Sequence, residues 1–294
     1  MGLSAESARL VGAVTGGLLP ESVVVPGPVA VRCLVWGART DPAALLVHGN
    51  GAHAHWWDAL VPALVPGWRL VVPDLRGHGE SGWPAEPAYG LEDFVEDLTA
   101  VADALAPGGV ALVGHSMGGR IALAAAARLP ERVRGLAILD SRLDRVRPEE
   151  AARWRGRMAG VRHGRAYPSR AAAMAAFRFV PDEPAVPDAV RADLAFHAVV
   201  ERAPGEWTFR FDRAVLSPAG DGAADLLAIA RAVRCPALVL AGEASEVMDA
   251  GQRARVLAAL PGARAQTFPG AHHFLLAGAP AVGRTLRAFL DTLG

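Results

Sequence analysis

Lysine is absent from this chain: all 30 basic residues are arginine, balanced by 30 acidic ones. With the abundance of Ala, Gly and Pro, this reads as the coding bias of a GC-rich genome rather than a functional choice. The zero formal charge leaves no global field to draw the protein to nucleic acid or to a membrane. Only two cysteines occur, Cys33 and Cys235, far apart and beside strand-like segments. They offer no metal-ligand spacing, and they are expected to be reduced thiols in or near the core. No apolar run reaches the ~20 residues that span a bilayer. The N-terminus lacks the basic start and apolar stretch of a secretion signal, so a cytoplasmic location is expected. What remains is 52% hydrophobic and 20% charged, the composition of an ordered globular chain. At 294 residues it is long enough for one large domain carrying an insertion.

Leu112 to Gly119 reads L-V-G-H-S-M-G-G and sets Ser116 at the centre of a G-x-S-x-G pentapeptide. Upstream, Gly109 to Val113 predicts a short buried strand. Downstream, Met117 to Leu129 is an unbroken run of helix formers stopped by Pro130. A serine at a sharp strand-to-helix turn is held in a strained backbone conformation, and Gly114 and Gly118 leave room for that turn to close.

The rest of the chain alternates in the same way. Strands are predicted on either side of a Pro26–Pro28 turn, then at Ala43–Val47, Arg69–Val72, Gly135–Leu139, Pro236–Leu240 and Arg264–Phe268. Helices are predicted over Trp56–Val65, Leu91–Leu105, Ala250–Leu260 and Pro280–Leu293. This βαβα pattern implies a mostly parallel sheet with helices on both faces. Between Ser141 and Arg231 strand signals fade and prolines multiply, which predicts a mostly helical insertion. The expected division is a core of residues 1–140 and 232–294 with a cap of residues 141–231.

A serine hydroxyl needs a base within hydrogen-bond reach, itself oriented by a carboxylate, before it reacts at neutral pH. Four motifs supply candidates: L-L-V-H-G-N-G at Leu45–Gly51, V-P-D-L-R-G-H-G-E-S at Val72–Ser81, the Ser116 turn, and P-G-A-H-H-F at Pro269–Phe274. Together they make the chain resemble an α/β-hydrolase-fold enzyme over nearly its whole length, with a helical cap inserted after the sixth strand. The resemblance implies a triad in the order serine, acid, histidine at successive strand ends. It aligns the base with His273 and sets His272 where relatives commonly have glycine. It puts the acid in the run Gly242-Glu243-Ala244-Ser245-Glu246, with Glu246 as the expected residue and Glu243 or Asp140 as rivals. The oxyanion hole is implied at the backbone N–H groups of Asn50 and Met117, and the Asn50 side chain could add a third donor.

Other residues have blander readings. His53, His55 and Asp58 faintly resemble the start of a metallohydrolase motif, but the continuation is missing and no metal is expected. Asp74, Arg76, His78 and Ser81 read as a hydrogen-bonded structural turn, and His115 as packing beside the serine. In the insertion, arginines at 142, 145, 147, 153, 155, 157, 162, 165 and 170 suit either an anionic substrate or a solvated helix face. Met158, Met174, Phe177, Phe179, Phe196, Trp207, Phe209 and Phe211 predict a cap core and an apolar pocket wall. Gly205–Asp212 reads as a short hairpin or an extended arm.

The leading expectation is a serine hydrolase, carboxylesterase-like, that cleaves an ester, thioester or lactone of a small apolar substrate without a cofactor. A C–C bond hydrolase, a lyase or cyclase that reuses the triad, and a non-catalytic ligand-binding protein are the alternatives. The resemblance disfavours epoxide hydrolase and haloalkane dehalogenase chemistry, which use an aspartate nucleophile. The expected partner is a small-molecule substrate, with no nucleic acid and no membrane; monomer and homodimer are both open.

Overall fold

The apolar runs become the strands of one sheet in the computed structural model, which describes residues 3–144, 149, 152, 156, 165–216, 224–260 and 262–293. The main sheet holds β1 (Glu21–Val25), β2 (Val31–Trp36), β3 (Ala43–Val47), β4 (Arg69–Pro73), β5 (Val110–His115), β6 (Val133–Leu139), β9 (Ala237–Gly242) and β10 (Arg264–Phe268). Their spatial order is β1-β2-β4-β3-β5-β6-β9-β10. β1 and β2 form an antiparallel hairpin and β2 meets β4 antiparallel; every later pair is parallel.

Parallel strands carry helices on both faces, so their residues are buried in runs rather than alternately. Every residue of β3, β4 and β5 is buried. One face is covered by α3 (Leu91–Leu105) and α4 (Met117–Arg128); α3 sends Phe94, Val95, Leu98, Val101 and Ala102 inward at helical spacing. The other face packs under Trp57, Leu60, Leu64, Phe274 and Phe289.

Two local expectations change. The single helix predicted over Trp56–Val65 is a 3₁₀ turn at Ala54–Leu60 followed by α2 (Val61–Leu64), because Pro62 at the start of α2 has no N–H to continue the earlier ladder. An N-terminal helix, α1 (Ala5–Thr15), was not read from the sequence. Its signals are Ser4, whose side chain accepts from the Ser7 amide, and a left-handed Gly16 at φ 68°.

Between β6 and β9 no described segment joins the main sheet. This insertion contains helices Arg170–Ala175, Asp188–His197 and Leu226–Arg231 and an antiparallel hairpin, β7 (Val199–Ala203) with β8 (Glu206–Phe209). The Gly205–Asp212 run therefore forms the turn and second strand of that hairpin. Arg145, Arg147, Arg153, Arg155, Arg157, Arg162 and Met158 lie outside the described residues. Of the remaining insertion arginines, Arg142 pairs with Asp144, Arg165 lies over Tyr167, and Arg170 reaches Glu6 and covers Phe196 and Trp207. Among the described residues no helix is long and apolar enough to cross a membrane.

Both cysteines are free. Cys33 is fully buried on β2, and that burial pushes its thiol up to about 12; Cys235 is half-buried and raised in the same direction. Because the thiolate is the reactive form, Ellman's reagent at pH 8 should leave Cys33 unmodified in the native protein and titrate it only after unfolding. Prompt native reaction of both thiols would contradict this.

Candidate active site

The loops that follow the parallel strands converge at the carboxyl edge of the sheet, where open α/β sheets place their sites. Ser116 lies between β5 and α4 at φ 56°, ψ −121°. Among the described residues, Ser116 and Asp140 are the non-glycine positions with positive φ, Asp140 at 47°. Such backbone persists only where the surrounding structure holds it. Around Ser116 the holding is steric: a Cβ at Gly114 would meet the Gly118 backbone, and one at Gly118 would meet the Val47 carbonyl.

Asp140 ends β6, one strand from Ser116. Its Oδ1 lies 2.9 Å from Nδ1 of His272, whose Nε2 lies 3.0 Å from Ser116 Oγ. Asp140 Oδ2 accepts from the Gly242 amide at 2.9 Å, and Oδ1 also accepts from the Ser245 hydroxyl. With Nδ1–H donated to Asp140, His272 presents the Nε2 lone pair to the Ser116 hydroxyl.

This geometry corrects two expectations. The imidazole that reaches Ser116 belongs to His272, not His273. His273 is the N-cap of the next short helix, and that one-residue step turns its ring toward Trp56 and Phe179, with centroids 5.5 and 5.4 Å away. Its ring nitrogens make no well-formed hydrogen bond among the described residues; a loose interaction with the Val180 backbone is all that faces them. Burial, then the neighbouring His272, hold its pKa well below the usual histidine value.

The carboxylate behind the base is Asp140, not Glu246. Glu246 and Glu243 are exposed, and Glu246 lines a cleft of about 480 Å³ with Phe179, Val180, Pro181, Asp182, Ala244 and Ala271. The cleft adjoins His272 through Ala271 and does not include Ser116. Ser245, three residues after Gly242, donates to Asp140 on the neighbouring strand.

The loop after β3 passes beside Ser116. A Cβ at Gly49 would lie 3.1 Å from Ser116 Cβ, so any side chain here would crowd the serine. Two buried imidazoles fix the loop. His48 spans the Gly49 carbonyl (2.8 Å) and the Leu75 amide (3.0 Å); His78 spans the Arg76 carbonyl (2.9 Å) and the Gly51 amide (3.1 Å). Each ring donates at one nitrogen and accepts at the other, so both are neutral. Burial lowers the pKa of His48 and takes that of His78 to about 3. The Asn50 side chain donates to the Val215 carbonyl of the insertion at 3.3 Å. The backbone N–H groups of Asn50 and Met117 have no backbone acceptor in loops among the described residues; that of Met117 opens α4, where helix geometry supplies none.

The Asp74 turn is knit to itself and to the core. The Asp74 carboxylate accepts from the amides of Ala54 (2.6 Å) and Glu80 (2.9 Å) and pairs with Arg32 at 3.3 Å, while Arg76 grips Asp97 with two bonds of 2.6 and 2.7 Å. His115 donates to or accepts nothing from Ser116; its Nε2 lies 2.9 Å from the His272 carbonyl, bracing the loop that carries the imidazole. From the insertion, Glu183 is buried and accepts from the Ala271 amide at 2.7 Å, holding the same loop from the opposite side.

A parallel sheet, a strained serine after β5 and a histidine–aspartate pair after the later strands define the architecture of α/β-hydrolase-fold enzymes. The profile of the alpha/beta hydrolase fold matches residues 42–280, and the chain belongs to that family. It is similar to an esterase of Mycobacterium tuberculosis, 36% identical over 170 residues that make up 57% of this chain and 55% of the relative. A haloalkane dehalogenase of Mesorhizobium japonicum is 36% identical over 135 residues, 46% of this chain and 41% of the relative. A 2-hydroxymuconate semialdehyde hydrolase of a Pseudomonas strain is 40% identical over 100 residues, 33% and 35% of the two chains. The matched stretches thus span about half or less of these relatives. A solved structure of the M. tuberculosis esterase superposes with a TM-score of 0.73 at 27% identity, over 99% of this chain and 100% of that one.

Proposed function

We propose that the protein is a serine hydrolase that cleaves an ester, thioester or lactone carbonyl of a small apolar substrate through an acyl-enzyme. The observation that carries this reading is the Ser116–His272–Asp140 relay, with its 3.0 and 2.9 Å links. His272 Nε2 takes the hydroxyl proton as Ser116 Oγ bonds to the carbonyl carbon, and Asp140 stabilises the imidazolium without itself taking the proton. The backbone N–H groups of Asn50 and Met117 receive the developing oxyanion; each such donor contributes about 3 kcal/mol in comparable sites. The imidazolium then protonates the leaving oxygen or sulfur. Water, deprotonated by the same ring, attacks the acyl group and releases Ser116 and the acid.

The insertion acts in this reading as a cap. Phe179, Val215 and Phe211 come from it and lie against His273, Asn50 and His78 respectively; the insertion thus reaches the loops that carry the base and an oxyanion donor, and its aromatic residues support an apolar acyl group. The similarity to a 2-hydroxymuconate semialdehyde hydrolase favours one second reading, C–C bond hydrolysis with the same three residues. Dehalogenation is not proposed, because Ser116 stands where the resemblance would need aspartate.

A fluorophosphonate probe should label Ser116 stoichiometrically in the wild-type protein, and Ser116→Ala should show neither labelling nor turnover of a short-chain p-nitrophenyl ester. Turnover that survives Ser116→Ala would remove the serine hydrolase reading. Turnover of a vinylogous 1,5-diketone in preference to every ester tested would select the second reading.

A further inference from the structure

The fold assembles a second cluster of histidine and aspartate that the hydrolytic relay does not use. The 3₁₀ turn contributes His55 and Asp58, and the insertion helix Asp188–His197 contributes Asp193 and His197, which share a face at i, i+4 spacing. One ligand atom from each of His55, Asp193 and His197 lies within 4.8 Å of the others. The motif fragment His53-Ala-His55…Asp58 thus finds in space the continuation it lacks in sequence.

The hydrogen bonds around the cluster prepare those atoms for a ligand. His55 Nδ1 lies 2.8 Å from Asp58 Oδ2, so a proton held there leaves Nε2 as the outward nitrogen. His197 Nδ1 lies 2.9 Å from the Asp193 backbone carbonyl, which only accepts, so the proton sits there and the lone pair is on Nε2, 2.7 Å from Ser7 Oγ on α1. These are the outer partners that fix tautomer and ring orientation in metal-binding histidines, one of them a carboxylate. Asp193 is 1% exposed and lies against the Asp58 carboxyl, and neither of its carboxylate oxygens, nor Asp58 Oδ1, has a well-formed N–H donor among the described residues. Buried acceptors are seldom left so.

We propose that His55, His197 and Asp193 bind one divalent first-row transition-metal ion, zinc fitting best, and that the ion ties the insertion to the core. Two imidazoles and one carboxylate form the borderline donor set that zinc accepts, with a fourth position open to water. Ligand bonds of ~2.0–2.2 Å require the three donor atoms to draw in by roughly an ångström, and the His55 and His197 rings, stacked with centroids 3.5 Å apart, must turn toward Asp193 to do so. The site is separate from the three imidazoles beside Ser116, namely His115, His272 and His273: His273 touches Trp56, and Trp56 in turn touches His53.

The test is metal binding by the full chain, stripped with chelator and titrated with Co²⁺ and Zn²⁺. One equivalent of Co²⁺ should bind with visible ligand-field absorption. Zn²⁺ at one hundred times its Kd should raise the unfolding midpoint by roughly 5 °C. Asp193→Asn and His197→Gln should each weaken binding at least tenfold, whereas His272→Ala should retain it. Where a variant fails to fold, X-ray absorption of the zinc-loaded wild type decides, with two imidazoles plus oxygen expected. Absence of saturable binding would overturn the proposal; so would a three-imidazole ligand shell, or loss of the ion in His272→Ala alone, either of which puts the metal at the Ser116 cluster.

Discussion

Replacing His272 with alanine is expected to lower kcat for a p-nitrophenyl ester by roughly ten-thousand- to a million-fold, with the fold retained. The same substitution at His273 should leave most of kcat and act mainly on KM, because that ring lines the wall shared with Trp56 and Phe179 and lies away from Ser116. The acid follows the same contrast. Asp140→Asn preserves shape but permits the wrong imidazole tautomer, for a loss of about ten-thousand-fold, while Glu246→Gln should be close to wild type because the carboxylate bonded to the His272 ring is that of Asp140. Fluorophosphonate labelling rates, read beside circular dichroism, separate lost chemistry from lost structure. A silent His272→Ala, or a dead Glu246→Gln that still folds, would reverse the assignment.

Acid should destabilise this protein well above the range in which its carboxylates titrate. His78 is buried and neutral with a pKa of about 3, against 6.5 when unfolded; His48 and His115 are lowered in the same direction, chiefly by burial. A base whose folded pKa is depressed contributes stability that is present in full above pH 6.5. That stability is lost as pH falls toward the folded pKa, since only the unfolded chain takes up the proton. For His78 alone the loss between pH 7.5 and pH 4.5 is about 2–3 kcal/mol, a large part of an ordinary domain's stability. Asp74, whose pKa is held below 3.8, acts only at lower pH. Asp97, raised by burial, works in the opposite sense and is common to wild type and variant. Urea midpoints of wild type and His78→Asn across this window isolate the ring: the variant's pH slope should be flatter by about 2 kcal/mol over the window. Parallel slopes would show that His78 does not stay neutral in the fold.

Periodicity and punctuation were enough for the architecture. The strand at Ala43–Val47 lies where the apolar run puts it, since burial on both sheet faces writes itself as a continuous run. Pro62 shows where that reading stops: a run of helix formers gives a helix type only when each N–H has an acceptor. The sequence by itself determined that Ser116 occupies a strained turn beside a glycine-lined loop, because G-x-S-x-G and H-G-N-G encode local backbone geometry through the missing Cβ atoms. It could not choose between His272 and His273. Adjacent residues in a loop point in different directions, and which ring reaches Ser116 depends on the local backbone where the following helix begins. Nor could it choose between Asp140 and Glu246, which follow neighbouring strands and compete for one nitrogen. Only the tertiary structure decided these, through the β6–β9 pairing that brings Ser245 and the Gly242 amide onto Asp140, and through the packing of a distant helix that sets Asp193 and His197 against His55.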